Sequence, residues 1–276
     1  MSIYTHDLAK GYDTTYQLFD SPLMQKIRTE AYGEDIGQHS WITADQLRGD
    51  IAMLGLSNLT HLLDYGCGPG GPLTFLVKAT SCRAVGIDLS AAALDVASRR
   101  VASLGLGGLA SLQAVDANGP LPFNDTLFDV AVSYDVVLHL QSRENAFREL
   151  ARVLKPQGQF LFTDAGVVTG PVTNEEIRLR SINGFTQFVP DGYNEAALRN
   201  AGFRLLERRD RTQGILDNAR GRTRARTAHR AELIAIEGEE KFAREQQYLD
   251  VVARLSERQS LSRVAYLAES SREASV

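Results

Sequence analysis

Three aspartates and one histidine sit where short apolar runs end. Residues 62–65, 84–88, 111–115 and 129–134 have the length and composition of buried strands. Asp64 sits at the end of the first run, Asp88 closes the second, and Asp116 follows the third. The fourth leads into Tyr134-Asp135-Val136-Val137-Leu138-His139-Leu140. Ligands of open α/β sheets bind outside the carboxyl ends of the strands, so these residues are expected at one crevice. Carboxylates there can accept hydrogen bonds from ammonium or hydroxyl groups. A histidine, with its near-neutral reference pKa, suits a general base at pH 7.

The first run enters a glycine-rich turn. Gly66, Gly68, Gly70 and Gly71 follow Asp64 closely, and Pro72 comes next. Glycine lets the backbone turn sharply and approach a ligand with no Cβ between. Proline fits the first turn of a helix, where its missing N–H would be unpaired anyway. Gly66-x-Gly68-x-x-Gly71 fits the dinucleotide fingerprint. A dinucleotide would set its pyrophosphate against this turn and the helix N-terminus, and Asp64 would repel it. The same carboxylate suits a ligand with an ammonium group and no phosphate, and S-adenosylmethionine is such a ligand. Asp88 could accept from both ribose hydroxyls of either ligand.

Leu63-Asp64-Tyr65-Gly66-Cys67-Gly68-Pro69-Gly70 resembles motif I of the class I S-adenosylmethionine-dependent methyltransferases. The resemblance covers roughly residues 32–210. It implies that Asp64 helps hold the methionine ammonium and that Gly66, Gly68 and Gly70 admit the ligand beside the backbone. Asp88 and Leu89 would meet the ribose. Asp116 would meet the adenine amino group, with the Ala117 N–H near a ring nitrogen. Tyr134 and the segment after it would lie beside the methionine part and the methyl group, which makes His139 the catalytic candidate. The stretch 32–41 is similar to the Gly-Glu-Asp-Ile segment of sarcosine/dimethylglycine methyltransferases, and the likeness places Gln38, Ser40 and Trp41 over the cofactor. Lys155-Pro156-Gln157-Gly158 resembles the family's turn before the fifth strand. Tyr65 replaces the more usual small or β-branched residue before the first motif glycine.

Strands alternating with helices must position these residues. Helices are expected near 72–78, from Ser90 to Gly105, over 142–154 and over 194–201, with further strands at 159–163 and 203–208. The expected fold is a doubly wound, Rossmann-like α/β sheet. It would have seven mostly parallel strands, helices on both faces and a helical cap. Residues 1–58 would form an N-terminal cap over the active site. Tyr12, Tyr16, Leu18, Phe19, Leu23, Ile27 and Tyr32 recur there at helical spacing, and a second helix spans 44–54 behind Thr43. Residues 59–276 would form the core, with insertions at about 165–190, holding a short helix at 174–180, and at 213–258. The second insertion reads as one long polar helical stretch with a basic front part, 220–226, taken as a solvated face. Residues 261–268 read as a last strand, antiparallel by the resemblance. Tyr16, Tyr32, Trp41, Phe185 and Phe188 are candidate walls of an acceptor pocket.

Composition bounds the rest. At 276 residues, 43% hydrophobic and 23% charged, the chain can bury a sizeable core. A net charge of −4 gives no general reason to expect nucleic acid or an anionic membrane as partner. No apolar run reaches the roughly 20 residues that span a bilayer, and residues 1–7 do not read as a signal peptide, so a cytoplasmic location is expected. Cys67 and Cys82 read as buried thiols, and no His/Cys cluster suggests a metal. The expected activity is methyl transfer from S-adenosylmethionine to a small acceptor with an N, O or C nucleophile, by a monomer or homodimer. A nicotinamide-dependent oxidoreductase remains open as an alternative, disfavoured by Asp64 and by the missing Tyr-x-x-x-Lys pair. A non-catalytic S-adenosylmethionine-binding protein remains open as well.

Overall fold

The computed structural model describes residue 16 and residues 18–181 and 185–271. Its centre is one mixed sheet. β1 (His61–Tyr65), β2 (Arg83–Asp88), β3 (Ala110–Ala114), β4 (Phe128–Tyr134) and β5 (Leu154–Val168) run parallel. β7 (Phe203–Asp210) and β8 (Leu261–Ser270) close the far edge, with β8 antiparallel to both β5 and β7. The strand order is β3-β2-β1-β4-β5-β8-β7, and the two-residue β6 (Val189–Pro190) pairs with the end of β5. Chain order reverses between β1 and β4. At that switch point the connections leave to opposite sides and a crevice opens beyond the strand ends. Leu62, Leu63 and Tyr65 of β1 are fully buried although they alternate in direction, because helices cover both faces.

The helices start where the sequence supplies caps. Ser21, Thr43, Ser90, Ser142 and Thr173 each accept a backbone N–H at the heads of α1 (Pro22–Tyr32), α2 (Ala44–Leu54), α4 (Ala91–Ser103), α5 (Arg143–Val153) and α6 (Asn174–Arg180). α3 (Gly71–Thr80) has no such side chain and starts from Gly70 in the left-handed region, with φ +76°. On one face of the sheet Phe147, Phe160, Phe162 and Tyr266 stack into the larger core. On the other, Leu47, Leu73, Leu76 and Val130 form the second. α7 (Tyr193–Asn200) leads into β7.

Between β7 and β8 the chain makes α8 (Thr212–Ala228), α9 (Arg230–Glu237) and α10 (Glu239–Glu257). The single long helical stretch expected over 213–258 is therefore three helices. It breaks at His229 and at Gly238, whose φ of +83° and ψ of 156° no helix contains. α8 and α10 pack on each other and on α1, so the segment before β1 and the segment between β7 and β8 meet in one helical layer. Two other expectations need correction. The turn at 155–158 lies inside β5, where Gln157 takes φ +61° and the ladder with β4 shifts register. β5 then continues to Val168, so the first insertion begins later than residue 165. Tyr12 lies outside the described residues. Among the described residues no helix is long and apolar enough to cross a membrane.

Candidate active site

A cavity of about 300 Å³ occupies the crevice at the carboxyl ends of β1, β2 and β4, under the cap. Its inner half is built by the glycine turn. The N–H groups of Gly66 and Cys67 both bond Ile87 O at 2.9 Å, which ties the turn to β2. Gly68 N donates to Asp88 Oδ2 at 2.8 Å, and Ser90 N donates to Asp88 Oδ1 at 2.9 Å. The Asp88 carboxylate is thereby held at the strand end, where it borders the cavity. Asp116 caps its own turn, accepting from the backbone and side-chain nitrogens of Asn118 at 3.0 Å. Tyr65 OH donates to Ala117 O, which fixes the backbone next to Asp116. Tyr65 is thus a buried strut between β1 and the loop after β3.

Asp64 is 1% exposed, lines the cavity, and its Oδ2 has no hydrogen-bond partner. Burial, helped by the Asp88 charge, pushes its carboxyl up to about 8. A buried carboxylate oxygen without a donor is costly, and a ligand ammonium would satisfy it.

The outer half belongs to the cap and the segment after β4. His139 Nδ1 stands 2.9 Å from Phe185 O. A carbonyl only accepts, so Nδ1 carries the proton and Nε2 carries the lone pair. Burial holds the His139 pKa below its ordinary value, and nearby Arg180 adds to this. His39 is pushed down to about 3 by burial and by the charges of Arg222, His139 and Arg28. Both rings are therefore neutral near pH 7. Asp135 takes φ +61°, uncommon for a residue with a side chain. Its carboxylate accepts from Arg263, Thr163 and the Trp41 N–H, at 2.7–3.0 Å. Burial opposes its charge, and the Arg263 guanidinium overrides that and holds Asp135 ionised.

Gln38, Ser40, Trp41, Asp64, Gly66, Gly68, Asp88, Leu89, Asp116, Ala117, Tyr134 and His139 all border this one cavity. Gly70 does not. A Cβ there would meet Ala97 of α4 at 2.9 Å, so its smallness serves helix packing. Gln38 borders the cavity but spends its amide locally, accepting from Ile36 N and donating to Glu34 O. Of the expected acceptor walls, Tyr16, Tyr32, Trp41 and Phe185 line the cavity, whereas Phe188 packs against Val251, Leu255 and Leu261. The basic stretch is not a uniformly solvated face. Arg220 and Arg224 are exposed, but Arg222 and Arg226 border the cavity. Ile215, Ala219, Arg222 and Arg226 follow helical spacing, so the two arginines continue an apolar stripe. That pattern was the available signal for them. His39, Asn118, Arg180 and Tyr248 also line the cavity, and no local pattern marks them.

Residues 63–162 match the model of a methyltransferase domain. The methyltransferase GfsG of Streptomyces halstedii is 34% identical over 156 residues, which cover 54% of this chain and 54% of that protein. The 27-O-demethylrifamycin SV methyltransferase of Amycolatopsis mediterranei is 28% identical over 204 residues, covering 71% of this chain and 73% of that one. Among solved structures, the cyclopropane synthase MmaA2 from Mycobacterium tuberculosis matches with a TM-score of 0.80 at 19% identity, over 98% of this chain and 99% of that chain. That likeness is one of fold. The chain spans about half the length, or less, of the first curated relatives it matches.

Proposed function

We propose that this chain, which carries a class I S-adenosylmethionine-dependent methyltransferase domain, transfers a methyl group from S-adenosylmethionine to a small-molecule acceptor. One observation carries the reading. The unpartnered Asp64 oxygen, buried at the glycine turn and facing the cavity, needs a cationic donor. The methionine ammonium is such a donor, and a dinucleotide pyrophosphate is the opposite. The Asp88 carboxylate, oriented by two backbone N–H groups, suits a ribose diol. Asp116 and Ala117, which border the same cavity, are assigned to the adenine edge. The relatives named as methyltransferases support the same reading.

When bound, S-adenosylmethionine supplies an electrophilic methyl group and its own leaving group. The chain supplies alignment, dryness and a proton acceptor. Alignment of two bound reactants can contribute roughly 7–11 kcal/mol in favourable cases. The cap closes the cavity with Tyr16, Tyr32 and Trp41, which keeps water from the nucleophile. His139 presents Nε2 as the lone-pair nitrogen, so it can take the proton of a hydroxyl or carbon acceptor. With the cofactor held by Asp64, Asp88 and the glycine turn, the acceptor would take the methyl group as the sulfonium leaves as a thioether, and His139 would hold the acceptor's proton. We assign residues 1–58 to the cap and residues 59–276 to the core with its two cap-building insertions.

Calorimetric titration with S-adenosylmethionine and, separately, NAD tests the reading. Micromolar binding of the first, lost in Asp88→Ala, is expected. Binding of NAD alone would overturn it.

A further inference from the structure

Two guanidinium groups on the outer wall of the cavity have no carboxylate in contact with them among the described residues. Asp135 is committed to Arg263, and Glu237 to Arg226. Arg28 is paired with Asp35 at 2.8 Å. Arg180 and Arg222 also line the cavity, and among the described residues neither forms an ion pair with a carboxylate. Glu245 lies near enough to Arg222 to be felt as a charge, and Lys241 adds another cation on the same wall.

The two guanidinium groups are built in. Arg180 is 5% exposed, stacks on Tyr248 with its centre 5.3 Å from the ring, and donates to Tyr248 OH at 2.8 Å. Arg222 stacks on Trp41 at 5.1 Å. Trp41 and Tyr248 are themselves stacked, with centroids 6.3 Å apart and planes at 29°. An arginine from α6 and one from α8 therefore flank a single aromatic pair. Ring stacking fixes each guanidinium plane and leaves N–H groups for an acceptor in that plane. Buried guanidinium charge without a counter-ion is expensive, and an oxyanion recovers that cost through charge-assisted, two-pronged hydrogen bonds.

We propose that the methyl acceptor is an anion, whose carboxylate or phosphate is held between Arg180 and Arg222 beside the Trp41–Tyr248 pair while its nucleophile faces His139. This rests on the methyl-transfer reading and narrows its substrate class. His139 and His39 sense these arginines electrostatically, which places the anion subsite next to the reacting centre. An acceptor that is only a cation would meet two fixed like charges there. An amino acid or a hydroxy acid would meet a charge complement.

The test has three arms. First, S-adenosylhomocysteine affinity is measured for the wild type, Arg222→Met and Arg180→Met. Unchanged affinity shows intact folds, and absent affinity in the wild type sinks the methyl-transfer reading itself. Second, acetate and inorganic phosphate are titrated into the S-adenosylhomocysteine complex and thermal stability is followed. Saturable stabilisation of the wild type, lost in both Met variants and partly kept in Arg222→Lys, is expected. The anion that saturates at lower concentration identifies the headgroup. Third, methyl transfer is screened on matched pairs of hydroxy and amino acids with their amides, and of phosphomonoesters with their alcohols. Anionic members should be preferred by roughly 10- to 100-fold in kcat/KM, the worth of one or two charge-assisted bonds. Either Met variant should erase that preference. With cofactor binding intact, equal turnover of neutral and anionic members, or anion stabilisation that survives both variants, overturns the proposal.

Discussion

Replacing Asp64 with asparagine should make the free protein more stable and its cofactor complex weaker. The carboxyl is buried and pushed up to about 8 from its ordinary 3.8. Between those two values the unfolded chain is ionised while the native one stays protonated. Rising pH therefore favours unfolding over that window, by about 1.36 kcal/mol per unit. At pH 7 the accumulated cost is about 4 kcal/mol, as an upper-range figure for a dry site. Asparagine has the same shape and no charge to desolvate. Below pH ~4 the two proteins should match. Above that the variant should gain stability relative to the wild type, and the gap should level off near pH 8. Denaturant unfolding of the ligand-free proteins at pH 4, 7 and 9 reads this gap. A saturating concentration of S-adenosylmethionine should narrow the gap at pH 7 by about 1.4–2.7 kcal/mol, because a bound ammonium stabilises only the carboxylate. The variant should bind roughly 10- to 100-fold more weakly, the worth of a hydrogen bond to a charged group. A pH-independent gap, or equal cofactor affinity, would refute the assignment of Asp64.

Other substitutions probe the parts that hold the site. His139→Gln should cost roughly 10²–10⁴ in kcat with a hydroxyl acceptor and leave cofactor affinity unchanged. Because burial lowers the His139 pKa, the wild-type acid limb of kcat should fall below pH 6.5, as a pH–rate profile would show. Gly71→Ala would put a Cβ 2.3 Å from Gly37 O, so the Gly37 loop must shift. A loss of about 1–3 kcal/mol and weaker cofactor binding are expected from unfolding and titration. Arg263→Met strands the buried Asp135 carboxylate, which also holds the Trp41 N–H. About 3–5 kcal/mol of stability should be lost, measured by denaturant unfolding.

The core of this chain was legible because its signals are local. Asp64, the glycine turn and Pro72 fall within nine residues, and a strand, a turn and a helix start have few alternatives there. α2 and α6 appear within the bounds their caps and periodicity predict, and the main strands other than β5 differ by a residue or two at their ends, whereas β5 runs five residues further at each end. The strand extensions and the bulge at Gln157 were not legible, since a ladder is completed by its neighbour and not by its own residues. The break at Gly238 carried a weak signal, one glycine in a stretch that reads as a single polar helix.

The sequence by itself determined the alternation of strands and helices and the run of acids at the strand ends, because periodicity and turn chemistry act over a few residues. It could not determine what those acids face. Arg180 is 68 residues from Tyr248, and Asp135 is 128 residues from Arg263. Only the closure of the cap over the sheet brings each pair together. Whether Arg222 is a solvated charge or a wall of the cavity depends on where α8 meets Trp41. That meeting is set by packing of distant helices: the stripe of Ile215, Ala219, Arg222 and Arg226 marks an inward face but not what that face meets.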